Sequence, residues 1–475
     1  MTETASQLLH RLTSYHPGLE WDEPQPDDRL VHGFTSNDLD HRPFDYKRYD
    51  GERLPLPREL PAPSVSATAV LAGTASVEPA DLDLIGLARL LFLSAGVTRT
   101  SERNGHRLLF RAAGSAGARF PLELYVSLPQ PLDSLAAGVY WYDPEAHALV
   151  EIGPAPQGET PTIVITGVPW RTGWRYRERG YRHIYWDAGT MLAQLLAVAD
   201  SAGLTASLYS RFPDEAASRL VGADGRQEFP VAVVALGSGS PALTGSGPAV
   251  AGRFEDDAIE FPLAVSAQRD GVQDFLGSPW PVGPVVDAAP GAAALDEIVL
   301  RRGSSRLMDP TGVLPRSTLI ACLSAALRGI TVPHWVAVNA VSDTAPGLYR
   351  WPELTTPTRP GDLRSELYTA ALDQGLPRDA SFVVMAAIDL AHVDDRGYRG
   401  VQLASGVVEG RLHLMAYALG AGASGMTFQD SDIPGLLGAD VAGLLRTCVG
   451  VPEYRSKAGG APGQPAEIRM VTPRL

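Results

Sequence analysis

The tetrapeptide Arg179-Gly-Tyr-Arg182 occurs a second time further along the chain, as Arg396-Gly-Tyr-Arg399. An apolar stretch with helical spacing follows each copy, at 187–202 and at 403–419. Because four short matches in one order are not expected by chance, the sequence predicts two copies of one fold in a single chain. The other three matches are Gly96 with Gly329, Gly138-Val-Tyr with Gly347-Leu-Tyr, and Leu220-Val-Gly with Leu436-Leu-Gly.

The composition is that of an ordinary globular protein. Of the 475 residues, 45% are hydrophobic and 20% are charged, and the net charge of −14 argues against a nucleic-acid-binding protein. Two cysteines, Cys322 and Cys448, are too few for a disulfide framework. The chain has no apolar run as long as a membrane span, and its first residues lack the pattern of a signal peptide. We therefore expect a cytoplasmic protein without membrane or nucleic-acid partners.

Composition shifts divide the chain into four parts. Residues 1–80 are polar and rich in proline, which predicts an extended arm. Residues 241–295 are rich in Gly, Ser, Pro and Ala near their ends, which predicts a connector. The two copies then occupy 81–240 and 296–475. Two domains of one fold, an arm and a connector account for the length of the chain.

Each copy mixes helical and strand patterns. The predicted fold class is α+β, with a mostly antiparallel sheet among helices, and we expect Asp187 to cap one helix and Gly203 to end it. Apolar spacing predicts helices at 6–12, 85–95, 187–202, 317–328 and 403–419. Short β-branched and aromatic runs predict strands at 122–128, 163–166, 231–236, 334–341 and 382–388.

The segment Arg302-Gly-Ser-Ser-Arg306 lies just before a predicted helix of the second copy. Two guanidinium groups and a hydroxyl at R-x-S-x-R spacing can hold a phosphate dianion, because arginine offers forked donors and serine adds a short third one. A solvated basic turn before a helix would have the same pattern. The segment alone is compatible with both interpretations.

Two segments of the first copy could face a ligand. The turn Gly114-Ser-Ala-Gly-Ala-Arg119 has small residues that allow backbone amides to approach a flat or anionic ligand, although a plain loop has the same pattern. The stretch 170–183 holds five arginines, two tryptophans, two tyrosines and a histidine. Its shortness within an acidic chain argues against a nucleic-acid stripe. We interpret it as the wall of a site for an anionic or aromatic ligand.

Other known motifs are missing or lie in the wrong context. Gly420-Ala-Gly-Ala-Ser-Gly425 matches G-x-G-x-x-G, but it follows a predicted helix rather than a strand, which argues against a dinucleotide-binding turn. The histidines and cysteines show no metal-ligand spacing. Neither a P-loop nor a G-x-S-x-G elbow occurs. We therefore expect no metal site.

Taken together, these segments resemble the nitroreductase-like flavoproteins, and within that superfamily the SagB-type thiazoline and oxazoline dehydrogenases. The resemblance rests on 302–306, 114–125 and 138–144, and most specifically on 174–189. It implies an α+β fold in which two nitroreductase-like domains pair as an intrachain pseudo-dimer. It also implies FMN held at the seam between the domains, with hydride transfer through the flavin N5.

The resemblance assigns roles residue by residue. The R-x-S-x-R segment would bind the FMN phosphate, the small-residue loop would line the isoalloxazine, and a later segment would lie near N5. The implied phosphate ligands are Arg302, Ser304 and Arg306, with Arg455 and Lys457 as further candidates. The implied ring-lining residues are Gly114, Ser115, Gly117 and Arg119, and the implied N5 segment is Ser424, Gly425 and Met426.

Each copy lacks the part of this set that the other copy has. In the second copy, Arg302 precedes the closing Gly329. The same distance before Gly96 in the first copy reaches Ala69, and no arginines of an R-x-S-x-R segment are present near that position. The second copy is shorter between its matched glycines (329 to 347) than the first copy (96 to 138). The missing residues fall where the small-residue loop should be. We therefore predict one composite FMN site per chain and the loss of its mirror-image site.

The resemblance places a catalytic Lys-Tyr pair at the position of Arg175-Tyr176. Tyr176 could donate or accept a proton, with the charge of Arg175 lowering its pKa, or it could be a buried packing residue. An arginine cannot itself act as a base near neutral pH. Arginine in place of lysine therefore departs from the family pattern in a way that bears on azoline oxidation but not on flavin binding.

Three functions remain open from the sequence. The first is an FMN-dependent dehydrogenase or oxidase that desaturates a heterocyclic, azoline-like or amino-acid-derived natural-product intermediate. The second is an NAD(P)H-dependent reductase of nitro or quinone compounds, and the third is a non-catalytic binding protein with a degenerate flavin fold. The substrate would be a small or peptide-derived molecule, free or carrier-bound. The sequence leaves open whether the fused pair dimerises again.

Overall fold

The computed structural model describes residues 3–18, 27–33, 35–103 and 105–474, so parts of the predicted arm lie outside the described residues. The α-helices are α1 (Ala5–Leu12), α2 (Ala67–Ala72), α3 (Leu84–Ala95), α4 (Pro169–Tyr176), α5 (Gly180–Ser201), α6 (Asp214–Val221), α7 (Pro262–Asp270), α8 (Leu295–Arg301), α9 (Arg316–Ala326), α10 (Arg364–Thr369), α11 (Leu376–Asp379), α12 (Asp395–Ala418) and α13 (Ile433–Leu437). The β-strands are β1 (Arg53–Pro55), β2 (Val97–Arg103), β3 (His106–Arg111), β4 (Leu122–Leu128), β5 (Gly138–Asp143), β6 (Ala148–Pro154), β7 (Thr162–Gly167), β8 (Ala206–Tyr209), β9 (Phe229–Leu236), β10 (His334–Val338), β11 (Gly347–Arg350), β12 (Arg359–Pro360), β13 (Phe382–Ile388), β14 (Gly422–Met426), β15 (Ala442–Gly450) and β16 (Ala466–Glu467).

Two antiparallel sheets form the frame of the molecule, and they repeat each other strand by strand. The first has the order β1-β6-β5-β4-β7-β9-β8, and the second has the order β12-β11-β10-β13-β15-β14. From β6 and β12 onward, matched strands occupy matched positions. We call the elements α2–α6 with the first sheet the first half, and α8–α13 with the second sheet the second half. The predicted tandem α+β fold is confirmed.

The elements agree with the sequence patterns except at two helix starts. Strands β4 and β13 have the predicted bounds, but α5 begins at Gly180 and α12 at Asp395, each about two turns early. These first turns contain buried arginines, so they do not show the apolar spacing of a buried helix. The prediction that Asp187 caps a helix is wrong, because Asp187 lies two turns inside α5. Among the described ranges, no helix is long and apolar enough to cross a membrane.

Helices α5 and α12 form the seam between the two halves and cross at backbone contact. A Cβ atom on Gly189 would overlap the carbonyl oxygen of Leu403, and one on Gly406 would overlap the carbonyl oxygen of Trp186. The offset that relates the two Arg-Gly-Tyr-Arg segments also converts one contact into the other, as in a two-fold symmetric dimer. One apolar core includes residues from both helices and both sheets. The halves therefore pack as the two subunits of a symmetric dimer would.

The first Arg-Gly-Tyr-Arg segment locks the first half onto the second. Arg179 and Arg182 each donate from Nη1 to Asp430, at 2.6 Å and 2.7 Å, and all three side chains are buried. Burial acts to raise the pKa of Asp430, but the two guanidinium charges hold it well below its ordinary value. The carboxylate of one half is thus shared by two arginines of the other.

The second Arg-Gly-Tyr-Arg segment makes the reciprocal lock. Arg396 and Arg399 donate from Nη1 to Asp214 of the first half, at 2.6 Å and 2.9 Å. These three side chains are also buried. The repeated motif that is most visible in the sequence therefore serves the pairing of the halves, with one arginine pair and one carboxylate contributed in each direction.

Gly406 provides a test of the close helix crossing. In Gly406→Ala the new methyl group would meet the backbone of Trp186, which cannot move aside as a side-chain end can, so we expect a loss of about 1–3 kcal/mol in the free energy of unfolding. Gly400→Ala is the matched control on the same helix, because no atom lies within 4 Å of its new Cβ. There the better helix propensity of alanine should add about 1 kcal/mol. Urea unfolding of both variants tests this, and effects of equal sign would contradict it.

The first half carries a hairpin that the second half lacks. Strands β2 and β3 and the loop after them lie between α3 and β4, whereas α9 leads to β10 with only a short turn. After β15 the chain returns to this hairpin, where β16 pairs in parallel with β2, with Ala466 opposite Arg99. The last part of the second half therefore covers the hairpin of the first.

Candidate active site

A cavity of about 1510 Å³ opens at the seam between the halves. Its wall combines the loop 114–119 and the end of α4 from the first half with the turn 302–306, strand β14 and the tail 454–474 from the second. All of the residues that the sequence singles out for a site line this one cavity. They are Gly114, Ser115, Gly117, Arg119, Arg175, Tyr176, Arg302, Ser304, Arg306, Ser424, Gly425, Met426, Arg455 and Lys457.

Asp187 fixes the loop 114–119 from inside helix α5. Its carboxylate accepts a hydrogen bond from the Ser115 hydroxyl at 2.5 Å and another from the Ala116 backbone N–H at 2.9 Å. The Ser115 hydroxyl in turn accepts from the backbone N–H of Phe120 at 2.7 Å. Burial raises the pKa of Asp187 to about 8, although both donors act to lower it. The residue that looked like a helix cap is therefore the anchor of the loop.

Asp187→Asn tests the protonation of this anchor. Because the folded pKa is raised to about 8, the contribution of Asp187 to stability is fully present below its unfolded value near pH 4 and is lost as the pH rises through about 8. We expect the wild type to lose stability relative to Asp187→Asn over that range, by at most about 1.4 kcal/mol per pH unit. Urea midpoints of both proteins at several pH values measure the difference. A difference that does not change with pH would contradict the prediction.

Gly117 brings the two candidate catalytic residues against the loop. It has a φ of +57°, and a Cβ atom there would lie 2.6 Å from the Tyr176 hydroxyl and 2.7 Å from Cδ of Arg175. Burial raises the pKa of Tyr176, and the opposing charge of Arg175 is the smaller effect. The charge of Arg175 acts to lower the pKa of Tyr176 as expected, but burial outweighs it. The phenol stays protonated at neutral pH.

His183 is the histidine of the predicted site wall, and it packs against Tyr176. Its ring packs between Tyr176 and Trp186, with centroid separations of 4.0 Å and 4.6 Å. It is buried and lines the cavity, and neither ring nitrogen has a hydrogen-bond partner among the described residues. Burial and the nearby charges of Arg179 and Arg182 hold its pKa well below the ordinary value. A neutral imidazole therefore supports the aromatic wall.

Arg302 reaches from the second half to the loop of the first. It is buried, donates from Nη2 to the carbonyl oxygen of Ala112 at 2.7 Å, and has its Nη1 3.5 Å from Nδ1 of His413. A Cβ atom on Gly114 would lie 3.3 Å from Nη1 of Arg302. Burial lowers the pKa of Arg302 to about 10, so it stays charged at neutral pH. The arginine and the small-residue loop are thus direct neighbours.

The rest of the turn is tied to β14 and to the tail. The Ser305 backbone N–H donates to the carbonyl oxygen of Ala423 at 2.9 Å, which leaves the Ser304 side chain exposed. The Arg306 backbone N–H donates to the Tyr454 hydroxyl at 3.0 Å. Ser304 and Arg306 therefore line the cavity from a turn that β14 and the tail hold on two sides.

Strand β14 presents an open edge to the cavity. The Ala423 carbonyl oxygen accepts from Ser305 and therefore points away from β15. Because every second residue of a strand directs its backbone groups to the same side, the backbone N–H of Gly425 also lies on the edge of β14 that faces away from β15. A Cβ atom on Gly425 would overlap the carboxylate of Glu409. Glu409 also lies 3.4 Å from the Thr190 hydroxyl and lines the cavity. Nothing in the sequence of α12 marked Glu409, because only the crossing of two helices brings it here.

Arg455 and Lys457 approach from the tail, and both are exposed. The Lys457 carbonyl oxygen accepts from Nε of Arg99 at 2.8 Å, and its ammonium donates to the carbonyl oxygen of Glu467 at 3.0 Å. The tail is therefore fastened to the β2–β3 hairpin at this point. Within the described ranges, no group of three His, Cys, Asp or Glu side chains is placed to hold a metal ion.

The mirror-image position is filled by the chain itself. Gly73 is the first residue after α2, as Arg302 is the first residue after α8, so the lost phosphate segment would have started at Gly73, about one turn later than the expected Ala69. A Cβ atom on Gly73 would overlap the guanidinium of Arg328. Arg328 also donates to the carbonyl oxygen of Val282 at 3.3 Å, in the segment between the halves. Where the second half has Arg302 and the cavity, the first half has Gly73 packed against Arg328.

Comparisons with known proteins agree with this architecture. No family model matches the chain. A Methanocaldococcus jannaschii protein named as a nitroreductase, MJ1384, is 28% identical over 171 residues, which are 33% of this chain and 81% of that protein. The trifolitoxin-processing protein TfxF of Rhizobium leguminosarum bv. trifolii is 32% identical over 114 residues, which are 24% of this chain and 42% of that protein.

A solved structure extends the likeness to the whole chain. The crystal structure of an Anabaena variabilis protein named as a nitroreductase superposes with a TM-score of 0.71 at 23% identity, and the match covers 95% of this chain and 100% of that one. MJ1384, in contrast, is matched by about one third of this chain. The protein has a nitroreductase-like α+β fold, present in two copies along a single chain.

Proposed function

We propose that the protein binds one FMN per chain and acts as a dehydrogenase or oxidase on a heterocyclic, azoline-like or amino-acid-derived intermediate. One observation carries the proposal. Arg302 of the second half and Gly114 of the first are direct neighbours in one cavity, while the mirror position has glycine at 73 and no small-residue loop. Among the residues that the structure describes, the two parts of the implied FMN set thus meet once.

The cavity has the features that FMN requires. The Nε atom of Arg302 is buried without a partner among the described residues, as expected for a donor that waits for an anion. A Cβ atom on Gly114 would crowd Arg302, and one on Gly117 would crowd Tyr176 and Arg175, so the two glycines let these side chains lie directly against the loop. The edge N–H of Gly425 offers a donor to a ring nitrogen. When bound, FMN supplies a hydride acceptor at N5.

The protein residues would then bind, orient and exchange protons. Arg302, Ser304 and Arg306 hold the phosphate through forked and hydroxyl donors. The Tyr176 hydroxyl, protonated at neutral pH, would donate a hydrogen bond that orients the substrate. Arg175 remains charged and orients an anionic or polar group, but it cannot accept a proton.

The TfxF relative supports a natural-product role. Its name states that it processes trifolitoxin. The 114 matched residues, which are 32% identical, make up less than half of its length. By that likeness, the substrate of this protein would be a peptide-derived molecule, free or carrier-bound. The fold alone does not specify the chemistry.

The flavin content of the purified protein tests the proposal. We expect a flavin absorbance spectrum and one FMN per chain. Two FMN per chain would contradict the loss of the mirror site. A protein that refuses FMN at any concentration would instead be a binding protein with a degenerate flavin fold.

A second candidate is an NAD(P)H-dependent reductase, which the names of MJ1384 and the Anabaena variabilis protein favour. Stopped-flow mixing separates the two. Fast bleaching of the bound flavin by NADH or NADPH supports the reductase. Slow bleaching by both, with fast reoxidation by oxygen after reduction with dithionite, supports the dehydrogenase or oxidase.

A further inference from the structure

The cavity is strongly basic although the chain is acidic overall. Within the described residues, fourteen arginine and lysine side chains line it against four carboxylates, whereas the whole chain has a net charge of −14. Positive charge on a concave surface concentrates anions there. The volume of about 1510 Å³ also exceeds the range of roughly 300–1,000 Å³ for a single small-molecule pocket. Room and charge therefore remain beside a bound cofactor.

Many of these cations are not neutralised by the protein. Besides Arg302 and Arg306, six lining residues whose side chains are exposed or partly buried have no carboxylate oxygen within 4.0 Å in the part of the chain that the structure describes. They come from the hairpin, the loop, the end of α4 and the tail. They are Arg103, Arg119, Arg175, Arg455, Lys457 and Arg469.

The unpaired cations repel one another across the cavity. Burial is the main cause of the lowered pKa of Arg306, and the charges of Arg103 and Arg175 lower it further. Burial also lowers the pKa of Arg119 to about 10, with the charge of Arg175 adding to the effect. Since an FMN phosphate carries at most two negative charges, it cannot balance eight cations. A second anion would relieve the repulsion that remains.

Arg103 and Arg469 both line the cavity. Strand β16 runs parallel to β2, with Glu467 opposite Thr100, so in the same register Arg469 comes opposite Glu102, the residue before Arg103. Both side chains are exposed. Neither belongs to the residues that the cofactor is expected to use. They are therefore available to a ligand that enters from solvent.

We propose that the substrate carries an anionic group, a carboxylate or a phosphate, that Arg103, Arg175 and Arg469 hold at the mouth of the cavity. The proposal rests on the proposed function, because it concerns the molecule that reaches the bound FMN. Forked guanidinium donors accept both kinds of oxyanion in paired hydrogen bonds. The same charges would speed the encounter with an anionic substrate at low salt.

Anion binding to the FMN-loaded protein tests the proposal. Rhodamine-labelled triglutamate is titrated and followed by fluorescence anisotropy, with unlabelled pyrophosphate as competitor, and pyrophosphate is also titrated alone by isothermal titration calorimetry. We expect binding that weakens as salt is added, and a Kd raised at least about tenfold in Arg103→Gln/Arg469→Gln. Arg107→Gln/Arg301→Gln is the control, because these arginines are exposed, pair with Glu145 and Glu297, and do not line the cavity.

The outcomes distinguish the source of the charge. Triglutamate that pyrophosphate does not displace indicates a carboxylate-bearing substrate, and pyrophosphate binding without triglutamate binding indicates a phosphate-bearing one. No binding of either probe, or the same Kd in both double variants, overturns the proposal. Flavin absorbance is read in the same samples, so a protein that binds the anions but no FMN would contradict the proposed function and not the anion site.

Discussion

A chain that carries Arg302→Ala and Arg306→Ala is expected to be purified without flavin. Each arginine supplies a charged hydrogen bond to the phosphate, and such bonds contribute about 1.5–3 kcal/mol each. Their joint loss corresponds to a fall in FMN affinity of roughly 10²- to 10⁴-fold. Absorbance of the purified variant and titration of the apoprotein with FMN measure the effect.

Two control variants make this result specific. Arg301→Ala changes the neighbouring residue on α8, which is exposed and pairs with Glu297. Arg328→Ala changes the residue that fills the mirror position against Gly73. Both should retain one FMN per chain. Full flavin content in the double variant, or loss of flavin in Arg328→Ala, would show that other residues bind the FMN phosphate.

Asp430→Ala and Asp214→Ala are each expected to lower the free energy of unfolding by about 3–5 kcal/mol. Each change leaves two arginines buried without their shared carboxylate, which is more costly than the loss of an exposed ion pair. The Asp430 variant should also bind FMN less tightly, because Arg179 beside it lines the cavity. Asp214 does not line the cavity, so Asp214→Ala should lose stability without a matching loss of FMN affinity. Urea unfolding and FMN titration separate the two effects.

An apolar replacement tests whether the uncompensated charge is the cause. In Asp214→Leu/Arg396→Met/Arg399→Leu no ionised group is left behind, so most of the lost stability should return. If the triple variant is as unstable as Asp214→Ala, packing rather than charge explains the loss.

The pH dependence follows from the lowered pKa of Asp430. Its contribution to stability is present above the unfolded value near pH 4 and is lost as the pH falls through the lower folded value. The wild type should therefore lose stability relative to Asp430→Ala on acidification below about pH 4. This is the opposite direction from Asp187, whose contribution is lost as the pH rises from about 4 to about 8. Comparing the two variants across pH gives an internal check on both signs.

The repeat made the fold predictable, because short matches that recur in the same order can be found without knowing any contact. The offset between Arg179 and Arg396 gave two copies, and the shared strand order confirms them. The candidate site residues were found for a related reason. Their motifs are local in sequence, and all of them line one cavity.

What could not be predicted depends on contacts between distant segments. Asp187 looked like a helix cap because its partners Ser115 and Ala116 lie far from it in the sequence. Glu409 is a single polar residue within α12, and only the crossing of α5 and α12 places it beside Thr190 at the cavity. The pKa of Tyr176 was expected to fall, because the sequence shows the charge of Arg175 but not the burial that outweighs it.

The reciprocal arginine–carboxylate locks have a consequence for how the molecule behaves on dilution. Two separate subunits joined by such contacts would part at low concentration, and each would lose its share of the ligand site. Here the partner surface is tethered, so its effective concentration is fixed by the length of the intervening chain and does not change with the amount of protein. The composite site should therefore stay assembled at any dilution.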